Sequence, residues 1–184
     1  MVPFLLLCAI FFQATPQEPP KPAIDNDRVT VWGIGSAPAA RAYDTVEVSV
    51  AGTAQFWPSG KMWNHPPRFS IMIDLKDHPV APIANTTGYP LAFPRPGSKM
   101  ILENDRVIVW DCTWTPGVAT PMHFHDKDVV VVFLDDGDLS STTPDGQVTV
   151  NSFARGAIRF NPRDRTHTET LVRGKQRAII TELK

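Results

Sequence analysis

The sequence predicts an all-β fold, and three observations predict it. Eighteen prolines and 11 glycines are scattered over the 184 residues, a density of turn formers that leaves little room for long helices. The apolar residues come in short, β-branched bursts bounded by turn signals, and no segment keeps a helical period for more than a turn or two. The third observation is an internal repeat. Asn26-Asp27-Arg28-Val29-Thr30-Val31-Trp32 returns as Asn104-Asp105-Arg106-Val107-Ile108-Val109-Trp110, six of seven positions being identical. Ile71-Met72-Ile73-Asp74-Leu75-Lys76 is echoed by Ile179-Ile180-Thr181-Glu182-Leu183-Lys184, with apolar positions and charges in the same order. Each half opens and closes alike, so the chain reads as a duplication with one shortened copy: a small unit over 25–76, a Pro/Gly-rich connector over 77–102 and a complete unit over 103–184; the alternative, two similar strands in one irregular sandwich, requires the second echo to be accidental.

Ahead of the first unit, Val2 to Phe12 is almost wholly apolar and the chain then turns polar and proline-rich. A membrane span needs about 20 apolar residues, so residues 1–22 read as a signal peptide and linker, and the protein is expected in the periplasm or outside the cell. No Lys or Arg precedes the run, and Phe12 stands where a cut after Ala14 calls for a small residue; the competing reading is a buried N-terminal strand. Of the two cysteines, Cys8 lies in this segment and Cys112 falls mid-strand among tryptophans as a small buried hydrophobe. Neither a disulfide framework nor a cysteine zinc site is available.

In the first unit, the strand around Arg41-Ala42-Tyr43-Asp44-Thr45-Val46-Glu47-Val48 holds no histidine, and His65 and His78 stand alone in proline-rich turns. Phe56, Trp57 and Trp63 are assigned to packing. In the second unit, Val107, Val109, Asp111 and Thr113 share one strand face, while Ile108, Trp110, Cys112 and Trp114 share the other, which points inward. Pro116-Gly117 turns the chain. Val129-Val130-Val131-Val132-Phe133-Leu134 is apolar on both faces, as a strand covered on each side must be. Turns at Asp135-Asp136-Gly137, Pro144-Asp145-Gly146 and Asn161-Pro162-Arg163-Asp164 bound two further segments around Val148 and Ile158, and residues 177–183 close the unit.

The chemistry concentrates at Met122-His123-Phe124-His125. On a strand, His123 and His125 leave the same face about 6 to 7 Å apart along the backbone, a spacing able to chelate one cation. His167, in Arg165-Thr166-His167-Thr168-Glu169, lies on another expected strand that the fold could set opposite the pair. Three imidazoles suit a divalent transition metal (Fe, Zn, Mn, Ni or Cu) and leave positions for water or substrate. Asp128 and Glu169 are the carboxylates close enough in sequence to support the ligands, Glu169 sharing the strand face of His167. Asp128 reads first as a solvated turn carboxylate in Asp126-Lys127-Asp128, and Glu169 is equally readable as a surface charge.

These residues resemble the two motifs of the cupin (RmlC-like) superfamily. Gly117, His123, His125 and Gly137 are similar to Gly-x5-His-x-His-x3,4-Glu-x6-Gly, and Gly156, Pro162 and His167 to Gly-x5-Pro-x-Gly-x2-His-x3-Asn. The resemblance implies a double-stranded β-helix, a jelly-roll-like barrel, and makes the chain look like a bicupin with a degenerate N-terminal half. The wording around the repeat also resembles small bacterial cupins related to those of β-alanine catabolism. Three positions depart from the motifs: Val130 stands where the metal-binding glutamate is expected, Asp164 replaces a glycine and Leu171 an asparagine. Three-histidine sites occur within the superfamily in thiol and diketone dioxygenases, so the resemblance still implies a metal site without the carboxylate.

Three readings follow: a metal-dependent oxygenase or isomerase/lyase acting on a small organic acid or diketone, a non-catalytic small-ligand-binding module, and a structural protein with a vestigial site. No general base is identifiable. The expected partner is a small molecule, with a homodimer as the assembly considered. Eighteen Lys+Arg against 19 Asp+Glu, net -1, provide no basic surplus for general binding to nucleic acid or anionic membranes.

Overall fold

A computed structural model describes residues 20–38, 42–60 and 69–184; the apolar N-terminus, Trp63 and His65 lie outside them. Among the described residues every regular element is a strand, and no helix is long and apolar enough to cross a membrane. The first unit supplies β1 (Ile24–Asp25), β2 (Val29–Trp32), β3 (Asp44–Ser49), β4 (Ala54–Trp57) and β5 (Ser70–Leu75). The rest of the chain supplies β6 (Ser98–Glu103), β7 (Val107–Trp114), β8 (His123–His125), β9 (Val129–Phe133), β10 (Gly137–Thr142), β11 (Val148–Phe153), β12 (Ile158–Asn161), β13 (Arg165–Gly174) and β14 (Gln176–Leu183). They form three antiparallel sheets in the orders β1-β2-β5-β3-β4, β6-β7-β14-β9-β12 and β11-β10-β13-β8.

The central sheet, β6-β7-β14-β9-β12, is covered on both faces, and β9 shows why its sequence is apolar throughout. Val130 and Val132, with Val107, Val109 and Ile179, pack against Val29, Val31, Val46, Val48, Ile71 and Ile73 of the first sheet. Val129, Val131 and Phe133 point the other way, to Trp110, Trp114, Leu139, Leu171 and Ile180 inside the barrel that the central sheet makes with β11-β10-β13-β8. Burying one such aliphatic side chain is worth about 1.5–3 kcal/mol relative to exposure.

The two copies of the seven-residue segment make matching hydrogen bonds. Asn26 Oδ1 accepts from the backbone N–H groups of Arg28 and Val29, and Asn104 Oδ1 from those of Arg106 and Val107. The indole of Trp32 donates to Asp74 at 2.7 Å and that of Trp110 to Glu182 at 2.8 Å. Lys76 Nζ reaches the Asn26 carbonyl as Lys184 Nζ reaches that of Asn104. The two five-stranded sheets also share one strand order; among the described residues the first unit has no counterpart of β11-β10-β13-β8. The matched arginines reach across the junction in both directions. Arg28 pairs with Asp128 at 2.6 Å, and Arg106 with Asp44 at 2.9 Å.

The segment read as a connector contributes more than turns. It contains β6, it sends Ala92 and Phe93 into the barrel core, and Leu91 bridges to Phe124. Its prolines and glycines mask a strand and an apolar pair too short to show a period.

Candidate metal centre

β8 and β13 pair antiparallel, with His123 opposite His167 and His125 opposite Arg165. Alternation then sends His123, His125, Arg165, His167 and Glu169 to the barrel side. The pairing is fixed by Thr120, whose N–H donates to the Glu169 carbonyl and whose Oγ1 accepts from the Glu169 N–H. Asp164 enters β13 with a φ of 64° and donates its N–H to the His125 carbonyl at 2.9 Å. It therefore holds the left-handed conformation that a glycine adopts freely and Asp tolerates. Gly137, at the end of the first motif, answers to a different constraint: a Cβ there would lie 2.7 Å from the Lys175 carbonyl oxygen.

Ligating nitrogens of His123, His125 and His167 lie within 4.8 Å of one another, and all three residues are buried. His125 Nε2 and His167 Nε2 are 3.1 Å apart, and His167 Nδ1 meets Ser141 Oγ at 2.9 Å. His123 Nδ1 lies 2.8 Å from the Pro121 carbonyl, which can only accept, so Nδ1 carries the proton and Nε2 the lone pair. His125 Nδ1 is buried without a hydrogen-bond partner. Burial pushes the His123 imidazole down to about 3, helped by the Arg95 guanidinium. His125 and His167 are lowered by burial as well, with Arg165 contributing to both. The cluster is neutral at physiological pH, the protonation state that coordinates.

Three neutral imidazoles converging on one point fit a divalent transition metal, and two of the three rings are oriented through their outer nitrogens, as ligating histidines commonly are. Arg95 bears on the same atoms. Its Nη1 stands 2.7 Å from His123 Nε2, Nη2 donates to Glu169 at 3.1 Å, and the guanidinium lies over the Phe93 and Trp114 rings. A metal on His123 Nε2 takes over the lone pair that now accepts from Arg95.

Of the carboxylates, Glu169 joins the site through Arg95 and also accepts from the Trp114 indole at 3.2 Å. Burial alone would raise its pKa, but Arg95 and the nearby imidazoles hold it below the usual range. Asp128 is turned away: its carboxylate takes the Arg28 guanidinium and the Arg163 N–H, with no hydrogen bond to a histidine. It is neither an outer acceptor of the cluster nor a solvated turn residue, because the cross-junction ion pair buries it. The expected position of the missing glutamate also shifts by one residue. Val130 is fully buried between the sheets, whereas Val129 lines the cavity beside His125 and His167. The shorter His-to-Glu spacing marks the cavity position, and one residue more than the motif's six then precedes Gly137. Two further residues escaped sequence reading. Ser141 carried no signal; Arg95 lay in a proline-rich turn whose contact with His123 spans 28 positions.

No family model matches the chain, and no curated protein matches its sequence. A cupin 2 conserved barrel domain protein from Leptotrichia buccalis superposes over 89% of this chain and 88% of its own, with a TM-score of 0.50 and 12% identity. The chain has the cupin fold. A cupin domain from Bordetella pertussis Tohama I covers 50% of this chain and 99% of its own length, with 28% identity and a TM-score of 0.44. Cys112 is buried, and desolvation pushes its thiol up to about 12, so it packs as a hydrophobe.

Proposed function

We propose that this cupin binds one divalent transition metal through His123, His125 and His167 and acts as an oxygenase or isomerase/lyase on a small organic acid or diketone. The observation that carries the reading is the convergence of three buried, neutral imidazoles beside a cavity of about 150 Å³. A metal held there would supply Lewis acidity or oxygen activation. The protein's own groups orient and exclude. The Pro121 carbonyl and Ser141 fix the His123 and His167 rings, and Val129, Val131, Phe133, Leu139 and Ile180 form the apolar part of the wall. A second reading, a ligand-binding module that works without metal, is favoured by the Arg95 hydrogen bond on His123 and by the apolar Val129 at the carboxylate position.

Metal analysis of protein purified anaerobically from its native host, followed by oxygen-uptake and product assays on a panel of small acids and diketones, separates the two. The metal reading expects close to one metal per chain in the wild type, and most of it lost when any one of the three histidines becomes Ala. A wild type that neither carries nor takes up a transition metal leaves the binding module. The apolar opening of the sequence supports export, and N-terminal sequencing of the protein from its native host is expected to start near Thr15.

A further inference from the structure

The inward face of the barrel carries more positive charge than its own acids neutralise. β12 pairs with β9 so that Arg159 lies opposite Val131 and Asn161 opposite Val129. Both therefore share the face of the cavity-lining valines, while Ile158 and Phe160 turn to the core between the sheets. On β13 the inward residue beside the histidines is Arg165, opposite His125. Arg95, Arg159 and Arg165 all line the cavity against a single acid, Glu169. Glu169 is already committed to Arg95.

The other two guanidiniums are uncommitted. Arg165 donates from Nε to the Pro162 carbonyl at 2.6 Å, and its terminal nitrogens meet no acceptor among the described residues. The Arg159 side chain makes no hydrogen bond there; its guanidinium lies 5.3 Å from the centre of the Phe153 ring. Neither is within salt-bridge distance of a described carboxylate, whereas Arg173 is paired with Asp138 and Arg177 with Asp111. Asn151 and Asn161 line the same wall with side-chain amides that bond to nothing described. Guanidinium N–H groups without a protein acceptor, turned to a half-enclosed cavity, are open to a bound anion. A bound anion supplies the acceptors that they lack.

We propose that Arg159 and Arg165 form an anion subsite that selects a small carboxylate over a neutral diketone and orients its other end toward the three histidines. This deepens the functional reading given above and rests on it for the role of the histidines, but the subsite itself needs no metal. The cavity volume of about 150 Å³, roughly five water volumes, limits the ligand to a small acid. Guanidinium forks match a carboxylate in shape as well as charge. An anion placed there also offsets the repulsion between the arginines and a divalent ion, so acid and metal should each tighten the binding of the other by the same factor.

Acetoacetate and acetylacetone are nearly the same size, carry the same β-dicarbonyl arrangement and differ in one having a carboxylate. Each is titrated into metal-free full-length protein, with binding read by calorimetry and by the fluorescence of Trp114 on the cavity wall. The proposal expects acetoacetate to bind, acetylacetone to bind at least roughly tenfold more weakly, and both Arg159→Gln and Arg165→Gln to abolish the difference, with Arg165→Lys restoring part of it. Arg159 is exposed, so Arg159→Gln gives a folded protein even if Arg165→Gln does not. Equal affinity for the two probes, or a preference for acetoacetate that survives Arg159→Gln, overturns the proposal. Repeating the titration on zinc-loaded protein keeps the two readings distinct. Protein that takes no zinc yet prefers acetoacetate retains the subsite and loses the metal, while protein that takes zinc without that preference retains the metal and loses the subsite.

Discussion

At the residue scale, the decisive geometry is Arg95 Nη1 on His123 Nε2, because a guanidinium and a metal compete for one lone pair. Arg95→Met keeps an apolar side chain of similar length but removes the guanidinium and its charge, and zinc titration of the metal-free variant is expected to show affinity roughly tenfold or more above wild type. An unchanged affinity would mean that Arg95 swings clear at no cost. Val129→Glu places a carboxylate on the cavity wall and should also tighten divalent binding, at some cost in stability from Glu182 directly across the strands. Val130→Glu buries the same group in the core between the sheets and should destabilise by several kcal/mol with no gain in metal. The histidines set the pH response of the metal-free protein. Their pKa values are depressed on folding, so the unfolded chain binds more protons. Stability is then full above the ordinary imidazole pKa near 6.5 and falls as pH drops, by up to about 1.4 kcal/mol per pH unit for each histidine, down to about 3 for His123. Denaturant titrations at pH 7.5, 6 and 5 check this; a midpoint that does not move between them contradicts the burial account.

At the scale of elements, alternation alone made the two faces of β7, the doubly covered β9 and the two-residue histidine spacing legible in the sequence. It failed where long-range contacts decide. Nothing local distinguishes Asp128, bound by Arg28 from 100 residues away, from a surface turn carboxylate, and one residue of ambiguity in motif spacing exchanged Val129 for Val130. The same pairing geometry yields two tests. Arg28–Asp128 is about nine-tenths buried at both side chains, while Arg106–Asp44 is more exposed. Removing one partner of a buried pair costs about 3–5 kcal/mol, so Arg28→Ala should destabilise clearly more than Arg106→Ala in denaturant melts. Equal losses would show that the reciprocal contacts are equivalent despite their burial. Asp164 holds φ 64° at a turn where Gly is at ease, and Asp164→Gly should leave stability unchanged or raise it by up to about 1 kcal/mol.

At the scale of the whole molecule, the first unit's contribution is the cover it gives the barrel. The central sheet turns Val107, Val109, Val130, Val132 and Ile179 toward Val29, Val31, Val46, Val48, Ile71 and Ile73, and all eleven are at most 1% exposed. Without residues 25–76 that face becomes a contiguous apolar surface of a kind soluble monomers rarely present. Residues 77–184 keep every histidine of the cluster, Arg95 and all the strands of the barrel. Expressed alone, this fragment is expected to aggregate or self-associate, as read by light scattering and size-exclusion chromatography. If exposure of the face is the cause, Val107→Thr, Val132→Lys and Ile179→Glu introduced together should recover a monomer that still binds zinc, because those side chains point away from the cavity. A wild-type fragment that is monomeric and folded would show instead that the barrel stands without its cover. A fragment that the three substitutions cannot rescue would place the first unit's contribution in the Arg28 and Arg106 contacts rather than in the apolar face.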